Sequence, residues 1–488
     1  MCKKTRLLNA LGLVLSIFLF TGLSSQLYIS EPISVTDGDD SFGRKSPRLA
    51  LNADGELMVF WMRTGNEAFF ISTKTSSGFS TPAQIPFGSL NPNLWSGSLG
   101  PGFAATGNHV YLVFEVYGDA IYVVHSSNGG ASWNAPVAAF VPPQGRRATI
   151  PVIATDQEGH PYIAYVNTNA SETDAYYGMV RSTDFGSSFL PEVDVSVESN
   201  GEEVCECCNG HIAVAENGNI YVSFRNNDSN LRDIWMARST DGGISFNEAF
   251  DVDETDWVAG VCPSNGPHFS ILDDEVVNVF FSGSGLAGGG VYYSSFNPMS
   301  SQVDPTVNLL LTDASSSNQN RPRISGSGDT LAVVWQENYN GSMEIALSVS
   351  TTGATGLNSE TFRLTDSPAL QQQAEVLYAN DSFHVVYEDF ETGTVMYQEV
   401  SFGPLGLIAP EHFDFNMSPN PSSDQIHLTW PLSGAFSVYI IDGLGRVAME
   451  ERLTDYGGYL SIRQLKSGVY QVMVGNGEYL SQGRLIVE

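Results

Sequence analysis

Apolar and polar positions along this chain follow one recurring unit. A mixed segment leads into a turn carrying glycine, asparagine or aspartate, and an almost unbroken apolar run follows. Seven stretches read this way: SPRLALNADGELMVFW (46–61), GPGFAATGNHVYLVFE (100–115), IPVIATDQEGHPYIAYV (150–166), GHIAVAENGNIYVSFR (210–225), PHFSILDDEVVNVFFS (267–282), PRISGSGDTLAVVWQE (322–337) and AEVLYANDSFHVVYED (374–389). Short alternating segments predict half-buried strands, and brief apolar runs between turn signals predict strands buried on both faces. The units start 50 to 60 residues apart, and strands repeated at such a period predict a ring of small antiparallel sheets, a β-propeller. After the seventh unit only about one more strand, TVMYQEVSF, is available. EPISVTD (31–37) is therefore expected to supply the missing outer strand and so remove an open sheet edge. The expected fold is all-β, a seven-bladed propeller; six blades, the alternative, requires one unit to be something else.

A second repeat sits between these units: SSNGGASW (126–133), STDFGSSF (182–189) and STDGGISF (239–246). Asn128, Asp184 and Asp241 can fold back onto following backbone N–H groups. Gly130, Gly186 and Gly243 tolerate positive φ, and Trp133, Phe189 and Phe246 can tuck under the hairpin. The pattern stabilises a turn and is neither catalytic nor calcium-binding. It resembles the Asp-box, or BNR repeat, of sialidases and related propellers, and the resemblance covers residues 31–405 of a propeller expected over 26–408. In sialidases an arginine cluster grips the sugar carboxylate, a tyrosine backed by a glutamate is the nucleophile, and an aspartic acid is the general acid.

From about Pro410 the character changes. Residues 410–488 read as six or seven short strands, a small β-sandwich. SPNPSSDQI, IIDGLGRV, LKSGVYQVMV and the terminal GRLIVE resemble the C-terminal sorting domain of type IX secretion cargo. That resemblance implies a Gram-negative bacterium, passage through the periplasm, and a secreted or surface-attached product, with the type IX machinery as a partner. At the other end, residues 1–25 show the basic, apolar, small-residue order of a signal peptide, so no membrane span is expected after cleavage. The formal charge of −32 argues against nucleic acid and anionic membranes.

Aligning the units on their turn glycines assigns Arg48, Gly102, Val152, His211, His268, Arg323 and Glu375 to one channel mouth, with Arg146, Arg147 and Arg321 close by. The candidate anion site is Arg48, Arg147, His211, His268 and Arg323, either gripping an acidic ligand or neutralising carboxylates at the ring centre. The sialidase match is partial. The family's arginine stands in F/Y-R-I-P, whereas here SPRLAL surrounds Arg48 and RRATIP surrounds Arg147. Tyr387, Glu202, Glu203 and Asp233 can be named as a nucleophile and acids, but nothing pairs them. The expected partners are glycans or glycoproteins, bound and, if the chain is catalytic, hydrolysed as by an exo-α-sialidase. A non-catalytic adhesin or protein-binding propeller is the alternative.

EEVCECCNGHIAV (202–214) holds Cys205, Cys207 and Cys208, and Cys262 follows in GVCPSNGPHFSI. Both stretches lead into neighbouring inner strands. An oxidising compartment favours two disulfides with one bond from the 205–208 cluster to Cys262. Zinc or copper held by these cysteines with His211 and His268 is the alternative; C-x-C-C is not the usual zinc spacing, so no metal or other cofactor is expected. FRNNDSNLRD adds Arg225 and Arg232 nearby, and resembles a stretch that accompanies such cysteines in some sialidase-like propellers.

Overall fold

Each of the seven units becomes the first two strands of its own antiparallel sheet. The innermost strands are Arg44–Leu51, Gly102–Thr106, Arg146–Thr155, His211–Val214, His268–Ile271, Ser317–Ser327 and Gln371–Ala379. Their partners are the apolar runs Leu57–Arg63, His109–Val116, Pro161–Asn169, Ile220–Asn227, Val276–Ser282, Thr330–Tyr339 and Ser382–Asp389. The computed structural model describes residues 26–36, 44–63, 68–94, 100–199, 203–260, 262–273, 275–283, 289–309, 317–359, 361–403, 413–442, 446–454, 456–476 and 479–488. The expected signal peptide lies outside the described residues.

The chain divides into two compact units, one spanning Ile29–Ser401 and the other holding Phe402–Glu488. In the first, the seven innermost strands abut one another in cyclic order, the last against the first. Every sheet is thus covered on both faces, which is why the second strands are continuous apolar runs. Val166, Tyr177 and Met179 of the third sheet meet Ile212, Val222 and Phe224 of the fourth in one buried cluster. Each such side chain contributes roughly 1.5–3 kcal/mol on burial. The outermost position of the last sheet is filled from the N-terminus. Ile33 pairs with Tyr397 and Ser34 with Met396, Val35 N–H donates to the Val395 carbonyl at 2.9 Å, and Gln26–Ile29 lies along the same strand, Thr394–Gly403.

The turn repeats behave alike. Ser126, Ser182 and Ser239 accept from the N–H of Gly130, Gly186 and Gly243 at 2.9, 2.8 and 2.9 Å. Asn128, Asp184 and Asp241 accept from the N–H of Ser132, Ser188 and Ser245 at 2.9, 2.9 and 3.0 Å. The three glycines have φ of 88°, 79° and 81°, the left-handed region a side chain would strain. Trp133, Phe189 and Phe246 each join an inter-sheet core.

A second local device sets what reaches the channel. Ser46, Ile150, Arg321 and Gln373 are non-glycine residues at φ 51°, 55°, 52° and 57°, each two positions before Arg48, Val152, Arg323 and Glu375. At each of these places the strand register slips, a bulge that bends the innermost strand as it enters the ring.

The second unit is a sandwich. Asn416–Ser418, Gln425–Thr429 and Gly457–Ser461 form one sheet; Val447–Thr454, Ala435–Ile441, Gly468–Gly475 and Leu480–Val487 form the other. Alternate residues of Ala435–Ile441 (Phe436, Val438, Ile440) point inward to meet Ile426, Leu428, Trp430 and Val472.

Candidate functional site

Four of the five residues of the candidate anion site come together. Arg48, His211, His268 and Arg323 line a cavity of about 370 Å³ with Glu375. Glu375 Oε2 lies 3.8 Å from Arg48 Nη1 and 3.4 Å from Arg323 Nε, and Oε1 lies 3.9 Å from His268 Nε2. The His211 and His268 rings are 3.7 Å apart, centroid to centroid. Burial, then the Arg323 charge, holds His211 down to about 3. His268 is held well below the usual range by burial and then by His211 and the two arginines. Both imidazoles are therefore neutral. Burial lowers Arg48 to about 10, against the pull of Glu375. Arg321 faces the charge of Glu388, which also accepts the Ser46 N–H at 2.6 Å. Carboxylates of the ring itself thus answer the guanidinium charges. An incoming acid would have to compete with Glu375.

Arg147 is elsewhere. It lines an adjoining cavity of about 290 Å³ with Asn93, Glu115, Tyr117, Thr149 and Glu172. Its Nη1 donates to the Tyr117 hydroxyl at 3.2 Å, its Nη2 to Glu172 Oε1, and its buried Nε has no partner among the described residues. The guanidinium carbon is 5.6 Å from the centroid of the Tyr117 ring, which is 66% exposed. Glu115 is buried and accepts from Thr149 Oγ1 at 2.6 Å; burial raises its carboxyl pKa despite hydrogen bonds from Thr149 and Asn93. Arg146 is occupied by Asn167 at 2.6 Å and Asp174 at 2.8 Å.

The residues named for catalysis do not assemble. Tyr387 is buried and donates to Gln398 Oε1 at 3.1 Å. Glu203 accepts from Asn227 Nδ2 at 2.9 Å. Asp233 is buried and pushed up to about 7 by burial and then by Asp253 and Asp251. None of these three lines either cavity, and Glu202 lies outside the described residues. Glu115, Tyr117 and Glu172 were missed by sequence reasoning. The available signal was a charged residue ending an apolar run, VYLVFE, with an aromatic two positions on.

The cysteines do meet. Cys207 and Cys262 form a disulfide, and the Sγ atoms of all four cysteines lie within 4.8 Å of one another. Cys205 and Cys208 are free and buried, with Sγ atoms 2.9 Å apart. His211 and His268 belong to the channel cluster instead and complete no group with these sulfurs among the described residues.

Residues 416–488 match the family described as secretion system C-terminal sorting domain. The second unit is a sorting domain. Its presence marks the chain for type IX secretion, to the cell surface or the exterior of a Gram-negative bacterium. Among the described residues no helix is long and apolar enough to cross a membrane. No curated protein matches the chain. Among solved structures, a protein of unknown function from Dyadobacter fermentans is 14% identical, covering 67% of this chain and 99% of its own, at TM-score 0.44. An ulvan lyase of family PL25 is 10% identical over 83% of this chain and 96% of its own, at 0.44. A Trypanosoma rangeli sialidase in complex with 2,3-difluorosialic acid is 10% identical over 84% and 85%, at 0.40. The chain's own residues carry the functional reading.

Proposed function

We propose that this exported propeller binds acidic glycans, and that the binding cavity is the one at Arg147 rather than the channel. The observation that carries this reading is the pairing of an exposed Tyr117 ring with the Arg147 guanidinium, 5.6 Å from its centroid, at the rim of a cavity of about 290 Å³. An aromatic face offers a platform for the apolar face of a sugar ring, and an arginine fork suits a carboxylate or sulfate. Arg147 is paired with Glu172, whose side chain is exposed to solvent and free to swing aside, whereas in the channel both arginines face Glu375, which is buried in the ring. On this reading the Arg48–Glu375–Arg323 cluster holds the ring together. The test is a glycan array with wild type, Arg147→Ala and Tyr117→Ala. Acidic glycans should be retained by wild type and lost at least tenfold by each variant. Equal binding by all three, or binding restricted to neutral glycans, overturns the reading.

One observation favours hydrolysis as a second reading. Glu115 is a buried carboxyl with a raised pKa in the cavity wall, the property a general acid needs. Release of the aglycone from acidic glycosides by wild type, abolished in Glu115→Gln, would establish it.

A further inference from the structure

Cys207 also lines the Arg147 cavity, and the geometry of the cysteine cluster behind it is specific. Cys208 N–H donates to the Cys205 carbonyl at 3.3 Å, closing a turn that aims both side chains inward. Cys205 N–H bonds the Arg225 carbonyl at 2.9 Å, and the Tyr177 hydroxyl bonds the Cys208 carbonyl at 2.8 Å, so the turn is fixed to the sheet. The Cys262 segment is held against it. Gly266 N–H donates to Asn209 Oδ1 at 3.3 Å, at a point where an added Cβ would collide with the Asn209 carbonyl. The four sulfurs fall into two pairs of different access. Cys205 and Cys208 are fully buried; Cys207 and Cys262 are half-buried and already bonded. Cys205 Sγ lies 2.9 Å from Cys208 Sγ and 3.6 Å from Cys207 Sγ, so the buried pair touches the disulfide.

We propose that these four sulfurs form a thiol–disulfide relay, in which the half-buried Cys207–Cys262 bond oxidises the buried Cys205–Cys208 pair and is itself renewed from outside. The nucleophile is Cys208. Its Sγ lies within 4.8 Å of Cys262 Sγ, and the hydrogen bond from Cys205 and the Arg225 charge favour its thiolate. Its thiolate attacks Cys262 Sγ. The Cys208–Cys262 bond forms, the Cys207–Cys262 bond breaks, and Cys207 leaves as a thiolate that takes a proton. Cys205, losing its proton, then attacks Cys208 Sγ; the Cys205–Cys208 bond forms and Cys262 leaves as a thiolate. Nothing has been oxidised overall, and the two reducing equivalents now sit on the accessible pair. A protein disulfide of the thiol-oxidoreductase class accepts those two electrons and two protons, is released as a dithiol, and restores Cys207–Cys262. The exported chain ends with two disulfides. A large oxidant could not reach the buried pair directly; the relay removes that obstacle.

The test uses the chain without residues 1–25, which carry a fifth cysteine, Cys2, reduced and refolded, then treated with a protein-sized disulfide oxidant. Samples are acid-quenched, denatured and alkylated, and cleavage after Glu206 separates Cys205 from Cys207 and Cys208 for mass spectrometry. With excess oxidant, wild type should retain no alkylatable thiol. With one equivalent, both Cys205–Cys208 and Cys207–Cys262 should appear. In Cys207→Ser/Cys262→Ser the buried thiols should disappear at least tenfold more slowly, while a small permeant oxidant restores the wild-type rate. Failure of Cys205–Cys208 to form in wild type, equal rates in the double variant, or four thiols holding one equivalent of zinc or copper would each overturn the proposal. The wild-type measurement decides even where the double variant does not fold.

Discussion

At the scale of single residues, Glu375 carries the most. It faces Arg48, Arg323 and His268 at 3.4–3.9 Å in a place where none of them meets bulk water freely. Removing one partner of a buried ion pair leaves an uncompensated charge, at a cost of about 3 kcal/mol or more. Glu375→Gln should therefore lower the free energy of unfolding by about 3 kcal/mol in a urea titration, with Arg147-dependent binding intact below the transition. The adjacent histidines, His211 and His268, predict a pH effect of definite sign. Both are neutral when folded, whereas an unfolded histidine takes a proton near pH 6.5. Their contribution is complete above that pH and is lost as pH falls toward about 3, the value for His211. Wild type should therefore be favoured over His211→Asn more strongly at pH 7.5 than at pH 4.5, by chemical denaturation at both. Asp233 runs the other way. With its pKa raised to about 7, its contribution is full below the unfolded value of about 3.9 and is lost as pH rises through about 7, so Asp233→Asn should compare best with wild type at pH 8.

At the scale of elements, the turn serine has as much to do as the acidic residue that marks the motif. Ser239 is buried, and its Oγ is the acceptor for the Gly243 N–H. Ser239→Ala should cost roughly 1–2 kcal/mol, because it strands a buried donor, and a thermal melt would show the loss. What could be read from the chain follows the same line. Apolar runs, turn glycines and the Ser-x-Asn/Asp pattern are local, so strand positions and the channel alignment of Arg48, His211, His268, Arg323 and Glu375 were legible. Glu375 as their common partner was not, since no spacing reveals which carboxylate points across a ring. Arg147 was misplaced for a related reason. The bulge between Thr149 and Val152 shifts the register of its strand, and Ile150 turns left-handed without a glycine to announce it. Its cavity partners Tyr117 and Glu172 come from the ends of other strands, where sequence patterning is weakest.

At the scale of the whole molecule, the address and the cargo are separate compact units, each with its own core. A chain ending after Gly403 retains every strand of the ring, including Thr394–Gly403, to which the N-terminal segment pairs. It should fold and hold acidic glycans as the full chain does, but remain in the periplasm. Cell fractionation in a type IX-competent host, with the full chain as control, would show this; appearance of the truncated chain in the medium would contradict it. The acidic balance of 54 Asp and Glu against 22 Lys and Arg gives Arg147 further weight, since most of the surface repels the ligand that it would hold.

The way the ring is joined also imposes an order in time. Ile33 and Ser34 are among the first residues of the ring to be made, and their partners, Tyr397 and Met396, are among the last. The earliest strand must stay unpaired while the intervening sheets appear, and pairing over so great a separation is the slow kind of folding event. The export address is made later still, over 416–488. A chain cut short anywhere within the ring thus lacks its address as well as its closure, and unfinished cargo carries no pass to leave.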